Sequence, residues 1–117
     1  MNIDFLYSAI LSSSFGLSIG SIWQHLSVEI SHLKISDEER AEIFFELLRR
    51  LMLEGHLKLA SDGNYLSGSI DEQISIIALA WPVHPEEDEL DGFGFWFLTT
   101  VPVGVVWFTS AGQEIWT

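Results

Sequence analysis

A glycine-flanked serine is the first feature of this sequence that could do chemistry. Gly16, Ser18 and Gly20 fit the pattern G-x-S-x-G. In α/β-hydrolases this pattern holds a nucleophilic serine on a strained turn between a strand and a helix. Here residues at helical spacing precede the motif, and a chain of 117 residues is too short for the hydrolase sheet. We therefore expect Ser18 to cap the helix that follows it.

His25, Glu29 and His32 form a second candidate, because imidazole and carboxylate groups bind divalent metals. The two histidines are seven residues apart, so on one helix they would share a face with the glutamate between them. The H-E-x-x-H spacing of zinc proteases is absent, and the sequence places no further strong ligand beside these residues. We expect solvated helix surface here, and we predict neither a metal nor a cofactor.

An acidic run at residues 84–92 is the candidate for binding a partner. It lacks the D-x-[DN]-x-[DN]-G pattern of a calcium-binding EF-hand loop. Such a run is either a solvated loop or a docking surface for a basic protein, and the aromatic residues after it add weight to docking. Aromatic residues on a small sheet are more often part of the core, and that alternative stays open for these residues. We predict no catalytic residue, and the predicted partner-binding residues are Glu86, Glu87, Asp88, Glu89, Asp91 and Trp96.

The charge of the chain is strongly negative and unevenly distributed. Seventeen acids against five bases give a formal net charge of −12. Residues 1–58 hold eight acids and all five bases, whereas residues 59–117 hold nine acids and no base. Because phosphate contacts need clustered lysine and arginine, we expect no nucleic acid as partner.

Composition also limits the class of protein. The absence of cysteine excludes disulfides, thiolate metal sites and a cysteine nucleophile. An apolar content of 48% excludes intrinsic disorder, and the length predicts a single domain over residues 1–117. The longest apolar stretch, residues 93–108, is too short for a membrane helix and contains glycine and proline. With an acid at position 4 where a signal peptide carries bases, we expect a cytoplasmic protein without membrane contact.

Apolar spacing and capping patterns predict a helical N-terminal half. Apolar residues recur at helical intervals over residues 3–10 and 19–33. A third helix is predicted to begin at a capping box formed by Ser36 and Glu39 and to end near Gly55.

Beyond Gly55 the apolar period changes. Residues 57–59 and 65–66 flank a turn and predict a short hairpin. Residues 71–81 begin with a second capping-box pattern that favours a helix, but their isoleucines also suit a strand, so both alternatives stay open. Three strands are expected at 94–100, 104–109 and 114–116. The predicted fold is α+β, with three or four N-terminal helices packed on a small C-terminal antiparallel meander.

Three short stretches carry a resemblance that extends over nearly the full chain: residues 54–59, 80–82 and 104–108. In these stretches, and in the order of a helical half, an acidic proline-bearing link and a tryptophan-rich β end, the chain resembles a family of short uncharacterised acidic bacterial proteins. Such proteins resemble immunity proteins encoded beside the toxins of contact-dependent competition systems. The resemblance implies a toxin domain as partner, and it carries over no catalytic residue.

Charge and resemblance together predict a protein-binding module. The first hypothesis is an immunity-type protein that neutralises a basic toxin domain, such as a nuclease with a cationic cleft. The alternative is a structural subunit or obligate homodimer, in which self-association buries the apolar excess. An enzyme is not expected, because the sequence reveals no convergent polar pocket.

Overall fold

The structure, a computed structural model, describes residues 2–82 and 93–117. The described residues confirm an α+β fold, with helices at the N-terminus and one small antiparallel sheet that includes the last strands of the chain. Five helices are present in this part of the chain, against the three or four predicted. The elements are α1 (Ile3–Ser14), α2 (Ile19–Glu29), α3 (Asp37–Leu53), β1 (Leu57–Ser61), β2 (Asn64–Tyr65), α4 (Ile70–Leu79), α5 (Gly94–Thr99), β3 (Gly104–Phe108) and β4 (Glu114–Trp116).

Side-chain caps determine where the helices begin. Ser18 accepts a hydrogen bond from a backbone amide in the first turn of α2, as expected from its place in the sequence. Ser36 and Glu39 form the predicted capping box of α3. Ser69 and Glu72 form a second capping box at the start of α4. The segment 71–81, for which a helix and a strand were both considered, therefore forms a helix up to Leu79.

The four strands form one antiparallel sheet in the order β2-β1-β3-β4. The predicted hairpin supplies β1 and β2, and β3 pairs with β1 so that Leu57 lies opposite Trp107 and Leu59 opposite Val105. The C-terminal strands therefore extend the hairpin instead of forming a separate meander.

The predicted first C-terminal strand, 94–100, is wrong, because residues Gly94–Thr99 form α5. Aromatic composition favoured a strand, but Phe93, Trp96 and Phe97 have the i, i+3, i+4 spacing that places side chains on one helix face. All three are buried in the core. Tertiary packing of this face against α2 decides the local structure.

Aromatic rings fill the space between the helices. Trp23 lies at the centre, with ring centroids 4.6 Å from Phe93, 5.4 Å from Phe44 and 5.4 Å from Trp81. We call this group the inner cluster; its members are Trp23, Phe44, Trp81, Phe93, Trp96 and Phe97. Within residues 2–82 and 93–117, no helix is both long enough and apolar enough to cross a membrane.

Candidate functional site

The acidic residues predicted to bind a partner, Glu86, Glu87, Asp88, Glu89 and Asp91, lie outside the described residues. Trp96 is described, and only 7% of its surface is exposed. Its ring centroid lies 5.3 Å from that of Trp81 and 4.9 Å from that of Phe97. A docking anchor presents its ring at the surface. The structure therefore places Trp96 in the core, which is the alternative stated for these aromatic residues.

His25, Glu29 and His32 do not share a helix face. α2 ends at Glu29, four residues short of the predicted end, so His32 lies beyond it. His25 Nδ1 instead lies 2.9 Å from Ser14 Oγ and 3.0 Å from Ser13 Oγ, and these contacts join α2 to α1. Among the residues that the structure describes, no three metal-binding side chains cluster.

The pairing of His25 with Ser13 and Ser14 resembles a nucleophile beside its base. Nucleophilic catalysis also needs a group that orients the histidine and a site for the developing oxyanion. No carboxylate in the described ranges hydrogen-bonds His25, and Ser14 is fully buried. The arrangement therefore works as a link between two helices.

A second polar cluster surrounds Arg50 at the end of α3. Its Nη1 donates to Asp4 over 2.7 Å, its Nε donates to Glu54 over 3.3 Å, and its guanidinium carbon lies 4.0 Å from the ring centroid of Tyr7. Burial, followed by the nearby Glu54 carboxylate, raises the pKa of Tyr7 well above its ordinary value. The Tyr7 hydroxyl, then Arg50, lowers the pKa of Glu54. Each group is thus held in its usual charge state, which suits a structural link more than acid–base catalysis.

A groove of about 480 Å³ lies between this cluster and the sheet. Leu11, Phe15 and Phe108 supply much of its apolar lining, and Glu54 and His56 are its ionisable side chains. Because Glu54 is already ion-paired with Arg50, the groove offers shape and apolar area more than a reactive group.

The side of the sheet that faces away from the inner cluster carries exposed aromatic residues. Strand alternation points Leu57, Leu59, Val105, Trp107 and Ile115 toward the core cluster. The opposite side, which we call the outer face, is formed by Lys58, Ala60, Tyr65, Val106, Phe108, Glu114 and Trp116.

Three aromatic rings form a layer over the outer face. Trp116 is 47% exposed and Tyr65 is 39% exposed, and their ring centroids are 5.2 Å apart. The Phe108 ring lies 6.3 Å from that of Tyr65. Val106 is only 1% exposed although it points to this side, so neighbouring side chains cover it. The rings thus rest on a small apolar base; Phe108 is partly buried, while Tyr65 and Trp116 keep much of their surface in contact with water.

Lys58 shows how this layer holds a cation. Its Nζ lies 5.3 Å from the ring centroid of Tyr65 and 5.5 Å from that of Phe108. Aromatic faces attract cations at such distances because of their quadrupole. Lys58 is also the last lysine or arginine in the sequence. The outer face therefore combines exposed aromatic rings with a demonstrated position for a positive charge.

Sequence reasoning missed this face. The alternating residues of β3 and β4 were visible, but which side faced solvent depends on pairing with β1, a segment more than forty residues earlier than β3. The period-two pattern of Lys58 and Ala60 against Val106 and Phe108 was the signal that could have found it.

Fold and site define a small α+β protein whose sheet presents an exposed aromatic face. The family model described as a protein of unknown function, DUF596, matches residues 52–117, more than half of the chain. The chain belongs to this family. The matched region contains all four described strands, and so it contains the whole outer face.

A solved structure supports the same placement. It is described as an uncharacterized protein conserved in bacteria, from Neisseria meningitidis, and it superposes with a TM-score of 0.78. The two chains share 27% sequence identity over 97% of this chain and 88% of the other. No curated protein matches the sequence. The similarity to uncharacterised bacterial proteins that the sequence indicated is therefore confirmed.

Proposed function

We propose that this protein is an acidic protein-binding module of the immunity type, which neutralises a basic toxin domain, such as a nuclease, by covering its cationic cleft. The observation that carries the proposal is the charge: −12 overall, with no lysine or arginine after Lys58. A protein with this field attracts a cationic surface and repels an anionic one.

The arginines are already paired with acids of the same chain, so they do not present unpaired positive charge to a cationic partner. Arg40 binds Asp37 over 2.7 Å, and Arg49 binds both Glu46 and Asp71 over 2.8 Å. Arg50 binds Asp4 and Glu54. The remaining acids in the described part of the chain, such as Glu42 and Glu114, make no ion pair and leave their charge at the surface.

The acidic run is proposed to steer the partner before contact. Glu86, Glu87, Asp88, Glu89 and Asp91 concentrate five negative charges within six residues. Electrostatic steering of this kind raises association rates by roughly ten- to a thousandfold at low ionic strength. The protein would act in the cytoplasm of the producing cell, where an immunity protein meets an incoming toxin.

A pull-down from producing cells tests this function. Tagged protein should retain a basic protein at low salt and release it as salt rises, because screening weakens contacts between exposed charges. The captured protein is then produced alone and together with the chain. Loss of its toxic activity in the second case supports the proposal, whereas unchanged toxicity contradicts it.

The homodimer is the second candidate function, and exposed apolar side chains favour it. Phe5 and Val28 are large apolar residues with most of their surface in water. Recovery of only the chain's own copies, at every salt concentration, would favour the homodimer over the immunity-type module. Light scattering of the purified protein measures this directly.

A further inference from the structure

We infer that the outer face of the sheet is the surface on which the basic protein docks, with lysine or arginine side chains of the partner seated on Tyr65 and Trp116. This inference rests on the proposed function and names the surface that carries it. The acidic run would guide the encounter, and the outer face would hold the complex.

The aromatic layer has the geometry of a docking site. Tyr65 lies opposite Ala60, Ala60 opposite Gly104, and Trp116 opposite Val106, so the two large rings flank small or short residues. The rings meet above these residues, 5.2 Å apart. Tyrosine and tryptophan with one side packed and the other hydrated are the residues that dominate binding energy when a partner removes the water.

The rings of the outer face accept a cation, and a cationic side chain of the partner would take the place of Lys58 on Tyr65 or lie on Trp116. Lys58 already places an ammonium group above Tyr65 and Phe108. Glu114 lies opposite Phe108 on the same side, and Asp62 lies in the turn between β1 and β2. A cation on the rings would therefore find both a π-face and nearby carboxylates.

A second copy of the chain is a poorer occupant than a basic protein. Each copy carries a formal charge of −12, so a symmetric contact brings two strongly negative surfaces together. A basic protein gains attraction from the same charge. We therefore commit to the basic protein, and the homodimer becomes an outcome of the test.

An oligo-arginine peptide serves as the probe for mapping the surface by NMR of the isotope-labelled protein. We expect the largest shifts at the Trp116 indole N–H and at backbone amides of β2, β3 and β4. An oligo-glutamate peptide of equal length should shift none of these signals. Shifts confined to other surfaces, or equal shifts with both peptides, would overturn the inference.

Two variants make the test quantitative. The double variant Tyr65→Ala, Trp116→Ala should lose about tenfold or more in affinity for the oligo-arginine peptide and for a captured basic partner. Phe5→Ala is the matched control, because Phe5 is an exposed aromatic residue, at 67%, on α1 instead of the sheet. Its affinity should stay within about twofold of wild type. Circular dichroism verifies that both variants are folded.

The outcomes separate the surface from the function. If the double variant binds the basic partner as tightly as wild type, the outer face is not the docking surface, while the proposed function stands. If wild type captures no basic protein, the proposed function itself fails. A wild-type dimer that the double variant dissociates would assign the outer face to self-association and overturn the inference.

Discussion

The inner cluster and the outer face are both built from aromatic residues, but the two groups differ in how much of their surface is buried. In both, neighbouring rings lie close together: Trp23 and Phe93 are 4.6 Å apart in the inner cluster, and Tyr65 and Trp116 are 5.2 Å apart on the outer face. The inner rings are enclosed by helices, whereas the outer rings keep a large hydrated surface. Ring contact alone therefore does not define a core.

Burial accounts for the difference. A ring stabilises the fold in proportion to the apolar area that folding removes from water. Trp23 has already lost its hydrated surface, so it has little left to give to a partner. Trp116 retains nearly half of its surface in water, and that area becomes available on binding. The inner rings therefore stabilise the fold, and recognition is the role that we propose for the outer ones.

Replacing Trp23 should have the largest effect. Trp23→Ala removes the central ring of the inner cluster and leaves a cavity, so we expect a loss of about 3–5 kcal/mol in the free energy of unfolding. Urea denaturation of wild type and variant measures this loss in the free energy of unfolding. A loss below about 1 kcal/mol would mean that the cluster is not a close-packed core.

Trp116→Ala should be much milder for stability. The side chain is half-hydrated, so truncation should cost about 1 kcal/mol, including the uncovering of Val106. The same denaturation experiment provides the value. A cost as large as that of Trp23→Ala would show that the outer face is a second core and would abolish the distinction between the two regions.

Lys58→Met tests whether the intramolecular cation competes with a bound one. Removing the ammonium frees the Tyr65 and Phe108 rings, so affinity for the oligo-arginine peptide should rise by roughly two- to fivefold. Lys34→Met is the control, because it changes the net charge equally but removes a lysine that lies on neither cluster. Equal effects of the two variants would indicate general electrostatics and not a site.

Tyr7 should make the stability of the protein depend on pH in the alkaline range. The pKa of Tyr7 is raised in the folded state, so its contribution to stability is complete below the ordinary tyrosine pKa of about 10 and is lost as pH rises through the folded value. Unfolding free energy should therefore fall above about pH 10 in wild type. Tyr7→Phe should flatten this decline, and an unchanged decline would contradict the assignment. Tyr65→Phe, on the outer face, is the comparison variant.

Local signals predicted most of the helical half. The capping boxes at Ser36 and Ser69 depend on residues three positions apart, so the sequence alone specifies them. Residues 94–100 were predicted as a strand because their composition is aromatic. Packing against α2 instead stabilises a helix over Gly94–Thr99. The acidic character of the molecule was visible from composition alone.

The outer face could not be predicted from local sequence patterns. Which residues share this face depends on the strand register: Lys58 lies opposite Val106, and Val106 lies opposite Trp116. Such pairings join distant segments, and a shift of one residue would turn every side chain to the other side. Trp96, the candidate anchor for which the core was the alternative, lies in α5 and is buried, whereas Trp116 of β4 is half-exposed.

Recognition through negative charge is tested by the association rate constant of wild type with a captured basic protein, measured across salt concentrations. From about 50 to about 300 mM salt the rate should fall steeply, since screening removes the steering field. A variant with Glu86, Glu87, Asp88 and Glu89 changed to Gln or Asn should associate more slowly and lose much of this dependence, while its dissociation rate changes less. A wild-type rate that stays constant across this range would contradict recognition through negative charge.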